Sequence, residues 1–157
     1  MWVVGSSLQG FALAVADAYT FWKAIEDAAA AKCLRVLLTA PEASHYRDKP
    51  EGRNRGQIRR EIGESLNKLL TTCKVPKKYI RLYSSSPTVT AIATSKRMLI
   101  NPFPYCQSSF HCFCLIVRST TPDGSDIYGQ YIEKHFKCGW DRARPLSIKD
   151  EALAQSL

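Results

Sequence analysis

The first half of the chain alternates short apolar runs with two segments of helical periodicity. Apolar residues dominate positions 2–4, 34–38 and 79–83, a length typical of buried strands. Between these runs, apolar residues recur at spacings of three and four over 11–29 and over 58–73, which predicts two helices that each bury one face. Because strand–helix–strand units place their strands in parallel with the helix packed on the sheet, this alternation predicts an α/β fold.

The second half continues as extended segments separated by short turns, at residues 88–94, 97–100 and 110–118. The last segment is apolar on both faces, which predicts a central strand covered on both sides. A turn at 121–124 and a helix over 127–136 follow. The complete order is β-α-β-α-β-β-β-β-α. We expect one α/β domain over residues 1–145, with a mixed central sheet sandwiched by helices, and a loosely ordered tail over 146–157.

Composition bounds the class of protein and the kind of partner. A chain of 157 residues that is 45% hydrophobic contains enough apolar surface for one packed core, which excludes wholesale disorder. Its 22 Lys and Arg against 14 Asp and Glu give a net charge of +8, so we expect an anionic partner. The sequence contains neither a convincing signal peptide nor an apolar run of about 18 residues. We therefore expect a cytoplasmic protein with no membrane partner.

The cysteines and histidines favour neither a metal nor a cofactor. Most of the six cysteines lie in apolar runs, so we expect reduced, buried thiols, with disulfides or a metal site as alternatives. Neighbouring residues on a strand point to opposite faces, so His111 and Cys112 cannot share a metal ion. Cys112 and Cys114 share a face, with Cys106 nearby, but a structural zinc site needs four ligands.

Residues 86–102, with the strand order around them, resemble one repeat of the phospholipase D-like superfamily. In that family a strand carries His-x-Lys-x4-Asp before a tight turn. Aligning the turns places Pro87 at the His position, Val89 at the Lys position and Thr94 at the Asp position. Because neither proline nor valine can act as the phosphohistidine nucleophile or the phosphate-binding lysine, the resemblance implies the fold without the activity.

A closer resemblance is to degenerate modules of this superfamily that act as sensors or effectors in bacterial regulators. In these modules a run such as residues 97–105 recurs with a terminal helix that ends in a tryptophan, as residues 127–140 do here. Repeats of the superfamily pair to complete a cleft. The resemblance therefore implies that a single-repeat chain forms a homodimer about a two-fold axis.

A basic stretch after the second predicted strand is the main candidate for anion binding. It contains Arg47, Lys49, Arg53, Arg55, Arg59 and Arg60. The stretch covers a long loop and the start of a helix, where open α/β sheets place ligands and backbone amides add to the side-chain charge. The alternative is a solvated loop that is partly neutralised by its own acidic residues, Asp48, Glu51 and Glu61.

Four further residues complete the candidate site. Ser6 and Ser7 follow the first strand, in a loop that borders the active cleft in the resembling family, although such serines also cap helices. Asn101 and Tyr105 follow the strand that would carry the family's Gly-Ser element, and a turn is the alternative role for Asn101. The candidate ligand-binding residues are Ser6, Ser7, Arg47, Arg53, Arg55, Arg59, Asn101 and Tyr105.

These observations favour a non-catalytic module that binds or senses an anionic, phosphate-bearing ligand. The first alternative is a phosphodiesterase or nuclease with relocated catalytic residues such as His45 or His111. The second alternative is a nucleic-acid-binding domain that uses the basic stretch, although Tyr46 is the only aromatic residue there for base stacking.

Overall fold

A computed structural model describes residues 1–9, 18–85, 89–102 and 112–156, and contains a seven-stranded mixed sheet. The strands in chain order are β1 (Trp2–Gly5), β2 (Arg35–Thr39), β3 (Ile80–Tyr83), β4 (Val89–Ala93), β5 (Arg97–Pro102), β6 (Leu115–Arg118) and β7 (Arg144–Pro145). Their order in the sheet is β6-β5-β4-β1-β2-β3-β7. The sheet therefore places the N-terminal strand at its centre.

The three adjacent strands β1, β2 and β3 run parallel, and every other pairing is antiparallel. In the parallel register Val3 lies opposite Val36, and Val36 lies opposite Ile80. The carboxyl ends of these strands consequently meet at one edge of the sheet. The antiparallel β4 brings its first residue, Val89, to that same edge.

Helices flank both faces of the sheet. They are α1 (Ala18–Ala30), α2 (His45–Asp48), α3 (Gln57–Asn67), α4 (Ile127–Gln130), α5 (Cys138–Arg142) and α6 (Ile148–Gln155). The π-helical segment Lys68–Thr72 extends α3, and short 3-10 turns occupy Pro41–Ala43 and Lys77–Tyr79. A second π-helical segment, Tyr131–Lys137, joins α4 to α5 without a break. We call residues 127–142 the crossing helix.

Alternating strand residues build a separate core on each face. Val3, Val36 and Ile80 belong to a cluster with apolar residues of α1, α3 and α6. Val4 and Leu37 belong to the other cluster, which the crossing helix covers with Tyr128 and Phe136 among others. This alternation follows from the two-residue repeat of a strand. The predicted mixed α/β fold with helices on both faces of the sheet is confirmed.

The crossing helix begins at a tight turn that its sequence dictates. The Asp126 carboxylate caps the helix by accepting a hydrogen bond from the backbone N–H of Gly129 at 2.8 Å. This bond and those from the amides of Thr120 and Thr121 lower the pKa of Asp126 to about 2. A Cβ at Gly129 would lie 2.0 Å from the carbonyl oxygen of Gly124. Glycine is therefore required there by the close approach of the two backbone segments.

Two predictions about the second half of the chain were wrong. The strand β6, predicted to be central and covered on both faces, lies at the edge of the sheet. Its residues Leu115 and Ile116 are 48% and 70% exposed. Residues 146–157, expected to be loosely ordered, include the helix α6, which begins with a capping box between Ser147 and Asp150. Ala154 of this helix is buried.

The C-terminal segment is also held by charge. The Arg144 guanidinium contacts the Asp150 carboxylate at 2.7 Å and the Glu42 carboxylate at 2.9 Å. In addition, Lys77 pairs with Glu151 at 2.7 Å. These contacts connect β7 and α6 to the body of the domain. Within the described part of the chain, no helix is both long enough and apolar enough to traverse a membrane.

Candidate functional site

A cleft of about 550 Å³ opens at the carboxyl ends of the parallel strands, between the sheet and the crossing helix. The strands β1 and β2, the end of β3 with the segment after it, the start of β4 and the crossing helix contribute its residues. They are Val4, Leu37, Tyr83, Ser84, Ser85, Val89, Lys134, His135, Phe136, Cys138, Gly139 and Arg142. The cleft therefore occupies the edge at which open α/β sheets bind ligands.

The wall and the rim of this cleft differ in chemistry. Val4, Leu37 and Phe136 are buried and form an apolar wall. The hydroxyl groups of Ser84 and Ser85 and the cationic Lys134 and Arg142 supply polar groups around it. None of the described lining residues is an aspartate or glutamate. The cleft thus suits a ligand that combines an apolar body with a negative charge.

The neutral polar residues of the cleft have different roles. The Tyr83 hydroxyl donates a hydrogen bond to the Gly5 carbonyl at 3.1 Å, and burial raises its pKa, so Tyr83 connects β3 to the end of β1. Partial burial lowers the pKa of His135, which packs against the rings of Tyr131 and Phe136. The lysine and arginine side chains that line the cleft are Lys134 and Arg142.

The predicted basic stretch is divided into two parts in the structure, and the first part is largely buried. The Arg47 side chain is buried, donates to the Ser6 hydroxyl and pairs with Glu51. Desolvation lowers the pKa of Arg47, and the Glu51 carboxylate partly opposes this effect. Arg53 pairs with Glu51 at 3.0 Å and with Glu61. Arg47 and Arg53 therefore bind carboxylates of the protein itself.

The two serines of the candidate site belong to the same network. Ser6 accepts from Arg47, and the Ser7 hydroxyl donates to Glu61 at 3.3 Å. Asp48, beside Arg47, is buried and accepts from the backbone N–H groups of Gly56 at 2.7 Å and Ile58 at 3.0 Å. The network therefore fastens the loop after β2 to the end of β1 and to the start of α3.

The second part of the basic stretch faces solvent. Arg55 and Arg59 are exposed, and neither makes an ion pair with a described residue. Arg59 lines a smaller pocket of about 290 Å³ with Arg144, Lys149 and Asp150. These two arginines do not line the cleft at the carboxyl ends of the strands. Their role in anion binding stays a prediction.

The residues placed by the family alignment also separate. Val89 is buried and lines the cleft, whereas Thr94 lies at the other end of β4 and holds the turn to β5 by bonding Arg97. Asn101 donates its side-chain amide to the carbonyls of Cys112 and Phe113 at 3.2 and 3.1 Å, so it fastens the segment before β6. Pro87 and Tyr105 lie outside the described residues.

The described cysteines are free, but few of them are buried. Cys73 is buried, and desolvation raises its pKa to about 11. Cys33 and Cys114 are exposed, so the prediction of generally buried thiols was wrong: these two lie in segments outside the cores. No group of three or more potential metal ligands occurs among residues 1–9, 18–85, 89–102 and 112–156. Cys106 and His111 are not described.

Comparison of this chain with protein-family models, with curated proteins and with solved structures finds no match.

Sequence reasoning missed the polar residues of the cleft. None of Lys134, His135, Arg142, Ser84 and Ser85 was among the candidate ligand-binding residues predicted from the sequence. One signal was present: Ser84 and Ser85, the first two of three consecutive serines, directly follow a buried strand, and residues after a parallel strand lie at the ligand edge of the sheet. The contribution of the crossing helix depends on how it lies across the sheet, which its own periodicity does not determine.

Proposed function

We propose that this protein is a non-catalytic binding or sensing module of phospholipase D-like topology, and that the cleft binds a small organic anion, such as a phosphate monoester. The observation that carries the proposal is the pairing of an apolar wall with two cations and no carboxylate among the described lining residues. A phosphate group would contact Lys134 and Arg142, while the organic part of the ligand would cover Leu37 and Phe136.

Val89 supports the non-catalytic part of the proposal. In the resembling family a lysine at this position would hold the phosphate, but here an apolar side chain lines the same cleft. His45, suggested above as a relocated catalytic residue, is exposed outside the cleft, and its Nδ1 bonds the Glu42 carbonyl at 2.8 Å. We therefore favour binding over phosphodiester hydrolysis.

The test is a titration with phenyl phosphate and with inorganic phosphate, followed by NMR or calorimetry at fixed ionic strength. We expect Lys134→Gln/Arg142→Gln to weaken phenyl phosphate binding by at least about tenfold, or about 1.4 kcal/mol. The matched control is Lys49→Gln/Arg60→Gln, which removes two exposed cations outside the cleft and should change affinity by less than about twofold. Equal weakening by both variants, or no binding by the wild type, would contradict the proposal.

The enzymatic alternative has a separate test. The protein should not hydrolyse a p-nitrophenyl phosphodiester. Turnover that disappears on replacing Cys138 or His135, both of which line the cleft, would show an enzyme with relocated catalytic residues.

The homodimer implied by the resemblance also stays a proposal. Light scattering coupled to size exclusion would measure the mass in solution against the chain mass of 17.6 kDa. A mass equal to one chain at the concentrations used for binding would contradict it.

A further inference from the structure

A second concave site lies at the opposite end of the sheet, where the parallel strands begin. This pocket, about 450 Å³ in volume, is lined by Met1, Trp2, Lys32, Cys33, Leu34, Arg35, Lys78, Tyr79, Arg81 and Trp140. We call it the amino-end pocket. It shares no residue with the cleft at the carboxyl ends of the strands.

Four cations enter this pocket from two adjacent parallel strands. Lys32 precedes β2 and Arg35 is the first residue of that strand, whereas Lys78 precedes β3 and Arg81 is its second residue. Both pairs have the spacing Lys-x-x-Arg. Because β2 and β3 are neighbours, with Val36 opposite Ile80, the sheet brings the two pairs together.

Tryptophan rings hold the two arginines in place. The Arg35 guanidinium lies 4.8 Å from the centre of the Trp2 ring and 5.8 Å from that of Trp140. The Arg81 guanidinium lies 4.9 Å from the centre of the Trp140 ring and donates to the Trp140 carbonyl at 2.8 Å. Stacking of this kind orients a guanidinium while leaving N–H groups at its edge for an acceptor. Less side-chain freedom is then lost when an anion binds.

No carboxylate of the described residues neutralises the charges of this pocket. None of Lys32, Arg35, Lys78 and Arg81 forms an ion pair with a described carboxylate, and no aspartate or glutamate is among the described lining residues. This contrasts with Arg47 and Arg53, which bind Glu51. Lys96, Arg97 and Arg118 lie at the same end of the sheet, because β4 and β5 turn there and Arg97 pairs with Arg118. The electrostatic potential at this end therefore favours a multiply charged anion.

We propose that the amino-end pocket binds a diphosphate or longer phosphate chain, either as inorganic pyrophosphate or as the phosphates of a nucleotide. Four cations match a group with three or more negative charges better than they match a single phosphate. The arginine edges can bond phosphate oxygens, and the two lysines can contribute point charges at the rim. Base stacking is not part of the proposal, because both arginines already lie close to the Trp140 ring.

The test measures binding of pyrophosphate, a nucleoside diphosphate and inorganic phosphate at fixed ionic strength. We expect pyrophosphate and the nucleoside diphosphate to bind with similar affinity, each at least about tenfold more tightly than phosphate. Arg35→Gln/Arg81→Gln should weaken pyrophosphate binding at least about tenfold, whereas Lys49→Gln/Arg60→Gln should leave it within about twofold. Because the arginines pack on tryptophans, Lys32→Gln/Lys78→Gln provides a second variant that removes charge from exposed side chains.

Further measurements distinguish inorganic pyrophosphate from a nucleotide as the ligand, and the amino-end pocket from the cleft as the binding site. If the nucleoside diphosphate binds more tightly than pyrophosphate, the base also contacts the protein, which contradicts the proposal that only the phosphates bind. A single-stranded oligonucleotide that binds at least about tenfold more tightly than pyrophosphate, and loses affinity in the Arg35→Gln/Arg81→Gln variant, would replace the proposal with nucleic-acid binding. Unchanged pyrophosphate affinity in both pocket variants would overturn it. Lys134→Gln/Arg142→Gln should leave pyrophosphate binding within about twofold, so failure at one site is distinguishable from failure at the other.

Discussion

Replacing Arg47 with methionine tests whether the first part of the basic stretch is structural. The Arg47 side chain is 5% exposed, and its partner Glu51 is 1% exposed. Removing the cation would leave the Glu51 carboxylate buried with fewer partners and would also remove the donor to Ser6. Loss of one member of a buried ion pair costs about 3–5 kcal/mol. Because Arg53 still contacts Glu51 at 3.0 Å, we expect the lower end of that range, about 3 kcal/mol.

The measurement is the free energy of unfolding from urea denaturation of the wild type, Arg47→Met and the double variant Arg47→Met/Glu51→Gln. Neutralising the remaining carboxylate should restore part of the loss, so the double variant should be more stable than Arg47→Met. The matched control is Arg55→Gln, an exposed arginine of the same loop, which should change stability by less than about 0.5 kcal/mol. A loss below about 1 kcal/mol for Arg47→Met, or a double variant less stable than the single variant, would refute the structural role.

Three further predictions concern the crossing helix and the thiols. Gly129→Ala should destabilise the protein by at least about 2 kcal/mol in the same urea assay, because the new Cβ would meet the Gly124 backbone, and an unchanged midpoint would contradict this. Since folding lowers the pKa of Asp126 to about 2, the ionised Asp126 carboxylate stabilises the fold above about pH 4, and this stabilisation is lost as the pH falls toward 2. Asp126→Ala should therefore lower the melting temperature at pH 7 and reduce the loss of stability in acid. A thiol reagent at pH 8, followed by mass spectrometry, should label Cys33 rapidly and Cys73 only after unfolding, and dithiothreitol should leave the melting temperature unchanged.

The sequence was most informative where periodicity alone decides the structure. The apolar spacing of residues 58–73 predicted the helix α3 and its π-helical extension, and the runs at 34–38 and 79–83 predicted β2 and β3 to within a residue. These segments bury one face or both, so the spacing of their apolar residues follows directly from which side chains are buried. The mixed α/β arrangement followed from their order.

Prediction failed where tertiary contacts override the local pattern. The apolar residues of β6 suggested a central strand, but an edge strand can expose apolar side chains, and nothing in the run shows how many neighbours the strand has. For Arg47 the limit was local: the sequence left open an external anion or a neighbouring acidic residue as its partner, and in the structure it pairs with Glu51, four residues away. A basic residue beside acidic ones does not reveal from sequence whether its partner is the ligand or the protein.

The distribution of paired and unpaired cations therefore indicates more about binding than the local density of cations along the chain. The basic stretch after β2 is dense, but acidic residues lie within it, and Arg47 and Arg53 bind them. The amino-end pocket draws its cations from two distant segments that carry no acidic residue, at positions 32–35 and 78–81. Parallel pairing of β2 with β3 brings these two pairs of cations into one pocket. The pyrophosphate titration of the Arg35→Gln/Arg81→Gln variant therefore also tests whether a Lys-x-x-Arg motif that recurs at the starts of adjacent parallel strands indicates an anion site better than a longer run of mixed charge does.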